Sequence, residues 1–346
     1  MRINARPSVA LIMVGFLTQA CASQVGEPSA SASEAAESAA PAASSAPAAA
    51  AWEPTEPIEL VVQADAGGGS DIFARQIAEL LSTEELVTQP INVVNKPGSS
   101  GAVAYAYLQQ KGVAPHFLAT VTLSYLATPL QQDTGFTYQD FSNLVVLAVD
   151  DFIAVVPADS PYESLEDLVA AAEESPDEIK VGGTQLGSSD SIIPALIEQA
   201  ADVEFNYITF ASGGEVNAAV LGGTVDFAIA NPGESLFLIE GGELRAISSF
   251  SPERLEGFDV PTAQEQGYDV TWEQFRGIIA PGGLSDEERA FWEDALAQMA
   301  EASAWQDYLE ENTLRPLMLT GDDAEEYIAE QSTSLEAVLT DLGVIE

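Results

Sequence analysis

The 346-residue chain has few basic residues, one histidine and one cysteine. It contains 11 lysines and arginines against 55 aspartates and glutamates, which gives a formal net charge of −44 at pH 7. This balance argues against nucleic-acid binding, because phosphate contacts require clustered Lys and Arg side chains. The acidity is typical of a solvated surface that keeps a protein soluble, and the scarcity of lysine suits salty surroundings.

The presence of a single cysteine and a single histidine excludes several kinds of chemistry. Cys21 is the only cysteine and His116 the only histidine, so neither a His/Cys metal cluster nor an internal disulfide can form. Serine hydrolysis would need His116 as its base, and no Gly-x-Ser-x-Gly turn presents a serine. A dinucleotide motif beginning at Gly67 is incomplete, because Ile72 replaces its third glycine. We therefore expect a protein without cofactor, metal or catalysis.

The start of the chain predicts an export signal. Two arginines precede an apolar run at residues 9–17, which is long enough for a signal-peptide core and too short to span a bilayer. The run leads into Leu-Thr-Gln-Ala-Cys, which resembles a bacterial lipobox ending at Cys21. The sequence thus predicts a lipoprotein signal peptide at residues 1–21, lipid attachment at Cys21 and an extracytoplasmic protein anchored to the membrane.

The next segment, residues 22–56, is mostly Ala, Ser, Pro and Glu. This composition offers too little apolar surface to offset the entropy of ordering, so we expect a disordered linker. The folded part is then residues 57–346, in which no apolar run is long enough to cross a membrane. The chain is 47% hydrophobic, which is sufficient for one large core or two ordinary ones.

From residue 57 short apolar runs alternate with helical patterns, as in parallel βαβ units. Residues 58–62 predict a strand, and Phe73, Ile77, Leu80 and Leu81 fall on one face of the helix that follows. Further strands are predicted at residues 91–94, 117–121, 143–148, 153–156, 179–181, 205–210, 225–230 and 244–248. The C-terminal part predicts helices, the first opened by a capping box of Ser285 and Glu288. These elements indicate an α/β fold with two sheets and two lobes.

Three Gly/Ser-rich loops connect a predicted strand to a predicted helix, at residues 64–71, 182–190 and 211–215. Such loops expose backbone amides at the positive end of a helix dipole, which favours bound anions. Ligands of open α/β sheets lie at the carboxyl ends of strands, so a cleft between two lobes would bind a molecule with carboxylates at both ends. An alternative stays open, in which the glycines only make turns and the neighbouring Ser and Asp residues only cap helices.

From residue 57 to its end, the chain resembles the extracytoplasmic solute receptors of tripartite tricarboxylate transporters, the TctC or Bug family. The order and spacing of several segments carry this resemblance. They are Gly-Gly-Gly-Ser-Asp-Ile-Phe-Ala-Arg at residues 67–75, Val-Asn-Lys-Pro-Gly-Ser-Ser-Gly at 94–101, Ala-Ala-Val-Leu-Gly-Gly-Thr-Val-Asp at 218–226, Gly-Glu-Leu-Arg-Ala-Ile at 242–247 and Val-Pro-Thr-Ala-Gln-Glu-Gln-Gly at 260–267.

The resemblance implies a two-lobed, periplasmic-binding-protein-like fold of type II with a ligand cleft between the lobes. Lobe 1 would comprise residues 57–154 plus 278–346, and lobe 2 residues 155–277. Backbone amides and bridging waters of two loops would hold a small organic anion, a tricarboxylate or other carboxylate. The candidate ligand-binding residues are Gly68, Gly69, Ser70, Asp71, Gly187, Ser188, Ser189 and Asp190.

The resemblance also implies partners and a mechanism. Hinge closure on the solute would produce the form that the membrane subunits of the transporter recognise, and the receptor is expected to act as a monomer. Asp71 suits a cap or a water contact, and suits a ligand contact only if the solute carries an amino or hydroxyl group. Two other functions stay open: a sensory solute receptor, and an enzyme that acts on a carboxylate in the same cleft.

Overall fold

The computed structural model describes residues 52–184, 187–210, 212–255 and 257–345. The predicted signal peptide, Cys21 and residues 22–51 of the predicted linker lie outside the described residues. Residues 52–56 are described, and the Trp52 ring lies 5.3 Å from the Phe291 ring and 6.4 Å from the Trp292 ring, measured between centroids. We therefore propose that residues 52–56 belong to the folded domain.

Two β-sheets organise the described residues. The larger sheet contains β1 (Ile58–Val62), β2 (Ile91–Asn95), β3 (Phe117–Val121), β4 (Phe141–Asp151), β10 (Glu273–Pro281) and β11 (Leu314–Thr320). The smaller sheet contains β5 (Ile153–Pro157), β6 (Lys180–Gly183), β7 (Asn206–Thr209), β8 (Phe227–Ala230) and β9 (Leu244–Ser249). The helices are α1 (Gly69–Thr83), α2 (Ala102–Gln109), α3 (Ser124–Gln131), α4 (Leu165–Glu174), α5 (Ser189–Ala201), α6 (Gly213–Leu221), α7 (Pro232–Glu240), α8 (Asp286–Ala300), α9 (Ser303–Glu311) and α10 (Gly321–Asp341).

The two sheets repeat one strand arrangement. The larger sheet has the order β2-β1-β3-β10-β4-β11 and the smaller has the order β7-β6-β8-β5-β9. In each sheet three parallel strands are followed by an antiparallel strand that comes directly after a crossing between the sheets. The α/β class and the two sheets are therefore confirmed. The repeat also places the β1–α1 loop and the β6–α5 loop at equivalent positions.

The chain passes between the sheets at two adjacent points. Strand β4 ends at Asp151 in the larger sheet, and β5 begins at Ile153 in the smaller sheet. The return ends at Glu273, the first residue of β10, which is paired with Asp151. The two crossing segments therefore lie side by side, an arrangement that suits hinge motion.

The strand memberships suggest lobe boundaries a few residues from those expected at Val155 and Gly277. We propose that lobe 1 comprises residues 52–151 plus 273–345, and that lobe 2 comprises residues 153–272. With these bounds each lobe contains one complete sheet and the helices packed on it.

Each sheet has apolar clusters on both faces, which is the arrangement expected when helices cover a largely parallel sheet. The predicted apolar face of α1 is confirmed, because Phe73, Ile77, Leu80 and Leu81 are all buried. Full burial of one such side chain contributes about 1.5–3 kcal/mol. Among the described helices, none has both the length and the apolar character needed to cross a bilayer.

The nine strands predicted from the sequence are present, with ends shifted by up to three residues. Strands β10 and β11 were missed. Strand β10 contains Arg276 and Gly277 in its middle, and both residue types weaken a strand pattern. Strand β11 contains Pro316, which the sheet tolerates because β11 lies at its edge. The predicted capping box is confirmed, since Ser285 N–H donates to Glu288 Oε2 at 2.8 Å and Glu288 N–H donates to Ser285 Oγ at 3.3 Å.

Candidate functional site

A cleft of about 1140 Å³ lies between the two lobes. Lobe 1 contributes residues 63–70 and 97–101, which follow β1 and β2, and lobe 2 contributes residues 212–217. The crossing strand β10 adds Gln274 and Arg276. As expected for an α/β fold, the cleft is thus built from loops at the carboxyl ends of parallel strands.

Helix α1 points its N-terminus into this cleft. The preceding Gly67 has a φ of +86°, a left-handed conformation that favours glycine. Gly68 is the N-cap and makes no side-chain capping bond, so the first-turn amides are not covered by their own cap. Within the described residues, no backbone carbonyl accepts a hydrogen bond from Gly69 N–H or Ser70 N–H. Gly69 N–H instead donates a hydrogen bond to the Glu234 carboxylate, so Ser70 N–H is the remaining donor at the positive end of the helix dipole.

Helix α5 presents a matching N-terminus from lobe 2. Gly187 has a φ of +82°, and the N-cap Ser188 has φ and ψ of −86° and 166°, against −82° and 169° at Gly68. Gly187 N–H donates to Ser191 Oγ at 2.7 Å, just as Gly67 N–H donates to the Asp71 carboxylate at 2.9 Å. The two loops therefore have the same backbone geometry, with an acceptor four residues after the glycine.

The third Gly/Ser-rich loop also leads from a strand into a helix. It connects β7 to α6, and residues 212–215 line the cleft. Here the N-cap Ser212 does cap its helix, because its hydroxyl oxygen accepts a hydrogen bond from Glu215 N–H at 3.3 Å. This helix therefore offers fewer uncapped first-turn amides to a solute than α1 does.

Arg276 and Asp150 form a buried ion pair in the cleft wall. Arg276 Nε lies 2.7 Å from Asp150 Oδ2 and Nη2 lies 2.9 Å from Oδ1, while the side chains are only 8% and 3% exposed. Desolvation opposes the charge of Arg276, but the nearby Asp150 carboxylate raises the pKa of Arg276 above its ordinary value. Within the described residues, the buried Nη1 has no hydrogen-bond partner. The guanidinium therefore retains an unused donor.

Glu234, in the first turn of α7, reaches from lobe 2 to the N-terminus of α1. A methyl group placed on Gly69 would lie 3.0 Å from Glu234 Oε1 and 3.2 Å from Arg276 Nη2, so the carboxylate and the guanidinium flank the same amide. The second carboxylate oxygen lies against Gly213 at the start of α6. Desolvation raises the pKa of Glu234 above its ordinary value, although Arg276 and a hydrogen bond from Gly69 N–H act in the opposite direction.

A sequence profile described as "Tripartite tricarboxylate transporter family receptor" matches residues 73–344. The chain belongs to this family. It is therefore a solute-binding receptor, as predicted. Similar proteins include the "UPF0065 protein in gbd 5'region" of Cupriavidus necator, which is 27% identical over 295 residues covering 84% of this chain and 89% of that protein. BugT of Bordetella pertussis is 25% identical over 296 residues, with 84% and 90% coverage.

Solved structures share the fold of this chain. A TctC solute-binding protein from Polaromonas is 27% identical, covers 83% of the receptor and 99% of its own chain, and superposes with a TM-score of 0.67. An R. palustris protein solved with adipate has a TM-score of 0.79 at 24% identity, with 84% and 99% coverage. The receptor thus has the two-lobed periplasmic-binding-protein fold, and the predicted extracytoplasmic class agrees with its family.

The structure brings most of the predicted site residues of the receptor to the cleft. Residues that line it are Gly68, Gly69, Ser70, Ser188 and Asp190. Gly187 lines a smaller cavity of about 240 Å³, which also contacts α3. The Ser189 hydroxyl donates to Gln274 Oε1 across the lobes at 3.3 Å. Their role as solute contacts remains a proposal.

Asp71 directs its carboxylate away from this cleft lining. It accepts hydrogen bonds from Gly67 N–H, from Arg75 Nε and Nη2 at 2.9 Å each, and from Asn95 Nδ2 at 3.0 Å. Desolvation tends to raise the pKa of Asp71, but these hydrogen bonds together lower it below its ordinary value. The side chain therefore fixes the shape of the β1–α1 loop as a carboxylate.

Asp190 has a similar local role in lobe 2. Its Oδ2 atom accepts hydrogen bonds from Thr184 N–H at 2.6 Å and from the Thr184 hydroxyl at 2.7 Å, and its Oδ1 atom accepts one from the Ser188 hydroxyl. Burial raises the pKa of Asp190. These contacts hold the end of β6 against the first turn of α5.

Several cleft residues were not identified from the sequence. Arg276 lies on a strand that the sequence pattern did not reveal, and its partner Asp150 is 126 residues away. Glu234 belongs to a helix outside the three Gly/Ser-rich loops. Asn231 lines the cleft with a buried Nδ2 that has no partner among the described residues. Ser191 and Asp71 are equivalent because each accepts a hydrogen bond from the glycine N–H four residues earlier, and their residue types do not reveal this.

Proposed function

We propose that the receptor captures a small organic anion by hinge closure and delivers it to a tripartite tricarboxylate transporter. The single observation that carries this proposal is the matched pair of helix N-termini, α1 and α5, which face one cleft from different lobes. Helix N-termini favour anions through their amides and their dipole. Neighbours of the same fold were solved with adipate and with malate, which are small dicarboxylates.

The lobes already touch at several points that closure would tighten. A methyl group on Gly187 would collide with the Gln131 side chain of α3, and the Ser189 hydroxyl bonds to Gln274 on β10. The adjacent crossings at residues 151–153 and near Glu273 supply the hinge. A solute that bonds to both helix N-termini would favour the closed form through its differential affinity.

The net charge of −44 does not prevent anion binding in such a cleft. Salt screens the field of the surface carboxylates beyond about 8–10 Å at 0.1–0.15 M ionic strength. The amides of a helix N-terminus act at hydrogen-bond distance inside a cleft, where screening is weak. Binding should therefore strengthen with moderate salt until specific anions compete for the same amides.

The proposal includes a lipid anchor and a monomeric receptor. The lipobox-like segment ending at Cys21 motivates the anchor, and Cys21 lies outside the described residues. The linker would let the two-lobed domain reach the transporter while the lipid stays in the membrane. Mass spectrometry of membrane fractions, with Cys21→Ala as the control, tests the anchor, and an unmodified wild-type cysteine would refute it.

Calorimetric titration of the full chain with di- and tricarboxylates tests the binding function. We expect at least one to bind with a micromolar or lower Kd, about −8 kcal/mol, and to be recovered unchanged. Recovery of a converted product would favour the enzyme alternative. Loss of cellular uptake on deletion of the receptor would support delivery to a transporter, whereas intact uptake would favour the sensory alternative.

A further inference from the structure

The cleft lining carries more carboxylates than an anion receptor needs. Asp65, Asp190, Glu215 and Glu234 line it, whereas among the described lining residues the cationic side chain is that of Arg276, which is already paired with Asp150. Like charges a few ångströms apart repel more strongly near a protein surface than in water. A solute with carboxylates alone would therefore meet repulsion next to the amides that bind it.

Glu234 and Arg276 present opposite charges on either side of one helix N-terminus. Both lie within 3.2 Å of a methyl position on Gly69, and Arg276 directs its ion pair to Asp150 instead of Glu234. Arg276 is 94% buried, since only 6% of its surface is exposed, and its Nη1 donor has no partner among the described residues. A buried donor of this kind is costly unless an acceptor arrives, so the geometry favours a bound carboxylate beside a carboxylate of the protein.

We infer that the solute carries an ammonium group next to a carboxylate, as in an α-amino acid. Its carboxylate binds Arg276 and the Ser70 amide, while its ammonium group binds Glu234, which also accepts a hydrogen bond from Gly69 N–H. The opposite end of the molecule faces the N-terminus of α5, which suits a second carboxylate. This inference rests on the proposed function and narrows its solute class to amino carboxylates.

Pairs of solutes that differ only in the amino group test the inference. L-Aspartate with succinate and L-glutamate with glutarate are titrated into the full chain by calorimetry at pH 7.5. We expect each amino acid to bind at least about tenfold more tightly than its partner. A tenfold difference in Kd corresponds to about one hydrogen bond between charged groups. Equal or tighter binding of succinate and glutarate overturns the inference and leaves the proposed function intact. Absence of binding by all four overturns the inference, and the proposed function then depends on its own titration with di- and tricarboxylates.

Substitution of Glu234 separates recognition of the ammonium group from general binding. Glu234→Gln keeps the shape and removes the charge, so we expect aspartate affinity to fall at least about tenfold and succinate affinity to change less than about threefold. Glu240→Gln removes the same charge from the same helix outside the cleft lining, and it should leave both affinities unchanged. If Glu234→Gln increases the affinity for both solutes equally, Glu234 only competes with the solute for the α1 amides, and the inference fails.

Arg276 should affect both members of each pair. Arg276→Lys keeps a positive charge and loses the planar guanidinium group that can donate two parallel hydrogen bonds. The affinities for aspartate and for succinate should therefore both fall by about tenfold or more. The thermal unfolding midpoint of the variant establishes whether it is folded. A folded Arg276→Lys variant with wild-type affinity for both solutes would contradict the assigned carboxylate contact.

Discussion

Gly67 and Gly187 have nearly the same left-handed backbone conformation, with φ values of +86° and +82°. Each lies one residue before the N-cap of a helix that enters the cleft, one in lobe 1 and the other in lobe 2. Each donates its N–H to a side chain four residues further on, which is Asp71 in lobe 1 and Ser191 in lobe 2. The two loops therefore share one backbone conformation and one hydrogen-bond pattern, although their sequences differ.

Substitution of Gly67 should impair binding more than folding. No atom lies within 4 Å of a methyl group placed there, so Gly67→Ala costs only the backbone strain, about 1 kcal/mol of unfolding free energy. Gly112→Ala is the matched control, because Gly112 has a φ of +63° and equally open space outside the cleft lining. Urea unfolding should give similar losses for both, while titration should show weaker solute binding for Gly67→Ala alone. Unchanged binding would contradict a strict geometry at the α1 loop.

The Arg276–Asp150 pair should show strong coupling. Asp150→Asn leaves the buried guanidinium without its counter-charge, so we expect a loss of about 3–5 kcal/mol in unfolding free energy. The double variant Asp150→Asn/Arg276→Gln should lose less than the sum of the single variants. Arg254→Gln is the comparison. The Arg254 and Glu265 side chains are 50% and 46% exposed, so their ion pair should contribute under about 1 kcal/mol to the unfolding free energy. An additive double-mutant cycle would contradict this.

Asp71 should contribute to acid sensitivity. Its pKa in the folded state lies below the ordinary value, so its stabilisation is fully present above the unfolded-state pKa, about 3.9, and is lost as pH falls through the folded-state pKa. The difference in unfolding free energy between wild type and Asp71→Asn should therefore be constant from pH 7 to about pH 5 and shrink below about pH 4. Asp307→Asn, at an exposed position on α9, should show a smaller difference throughout. If the difference in unfolding free energy between wild type and Asp71→Asn stays constant down to pH 3, the lowered pKa of Asp71 is contradicted.

Trp52 should stabilise lobe 1 without affecting the solute. Its ring packs on Phe291, Trp292 and His116, away from the cleft lining. Trp52→Ala should lower the unfolding free energy by about 1–3 kcal/mol, and Trp52→Phe should lower it by less. Solute affinity should be the same in all three proteins. If Trp52→Ala has wild-type stability, the segment at residues 52–56 is not part of the folded domain.

Local patterns were sufficient to predict much of this architecture. The spacing of Phe73, Ile77 and Leu80 defines the buried face of α1, because helical periodicity is a property of neighbouring residues. Loops at residues 64–71 and 182–190 were predicted as strand-to-helix turns because glycine permits conformations closed to other residues. Such features require no knowledge of what lies far away in the sequence.

The charged part of the cleft could not be predicted in this way. Arg276 looks unfavourable within a strand until Asp150 is placed beside it, and that contact joins residues 126 positions apart. Glu234 is one of 55 acidic residues, and its sequence neighbours do not distinguish it from a surface carboxylate. Its position over Gly69 follows from how the lobes pack, which sequence periodicity does not encode.

The insertion of β10 between β3 and β4 has a consequence for the order in which the polypeptide folds. The strands of the smaller sheet are consecutive in the sequence, whereas the larger sheet needs pairing between residues as far apart as Gly277 and Val121, which slows its formation. We therefore expect lobe 2 to acquire protection from hydrogen exchange before lobe 1 during refolding, and simultaneous protection would contradict this order. A nascent receptor also lacks the Arg276 part of its cleft lining until that late strand has been translated.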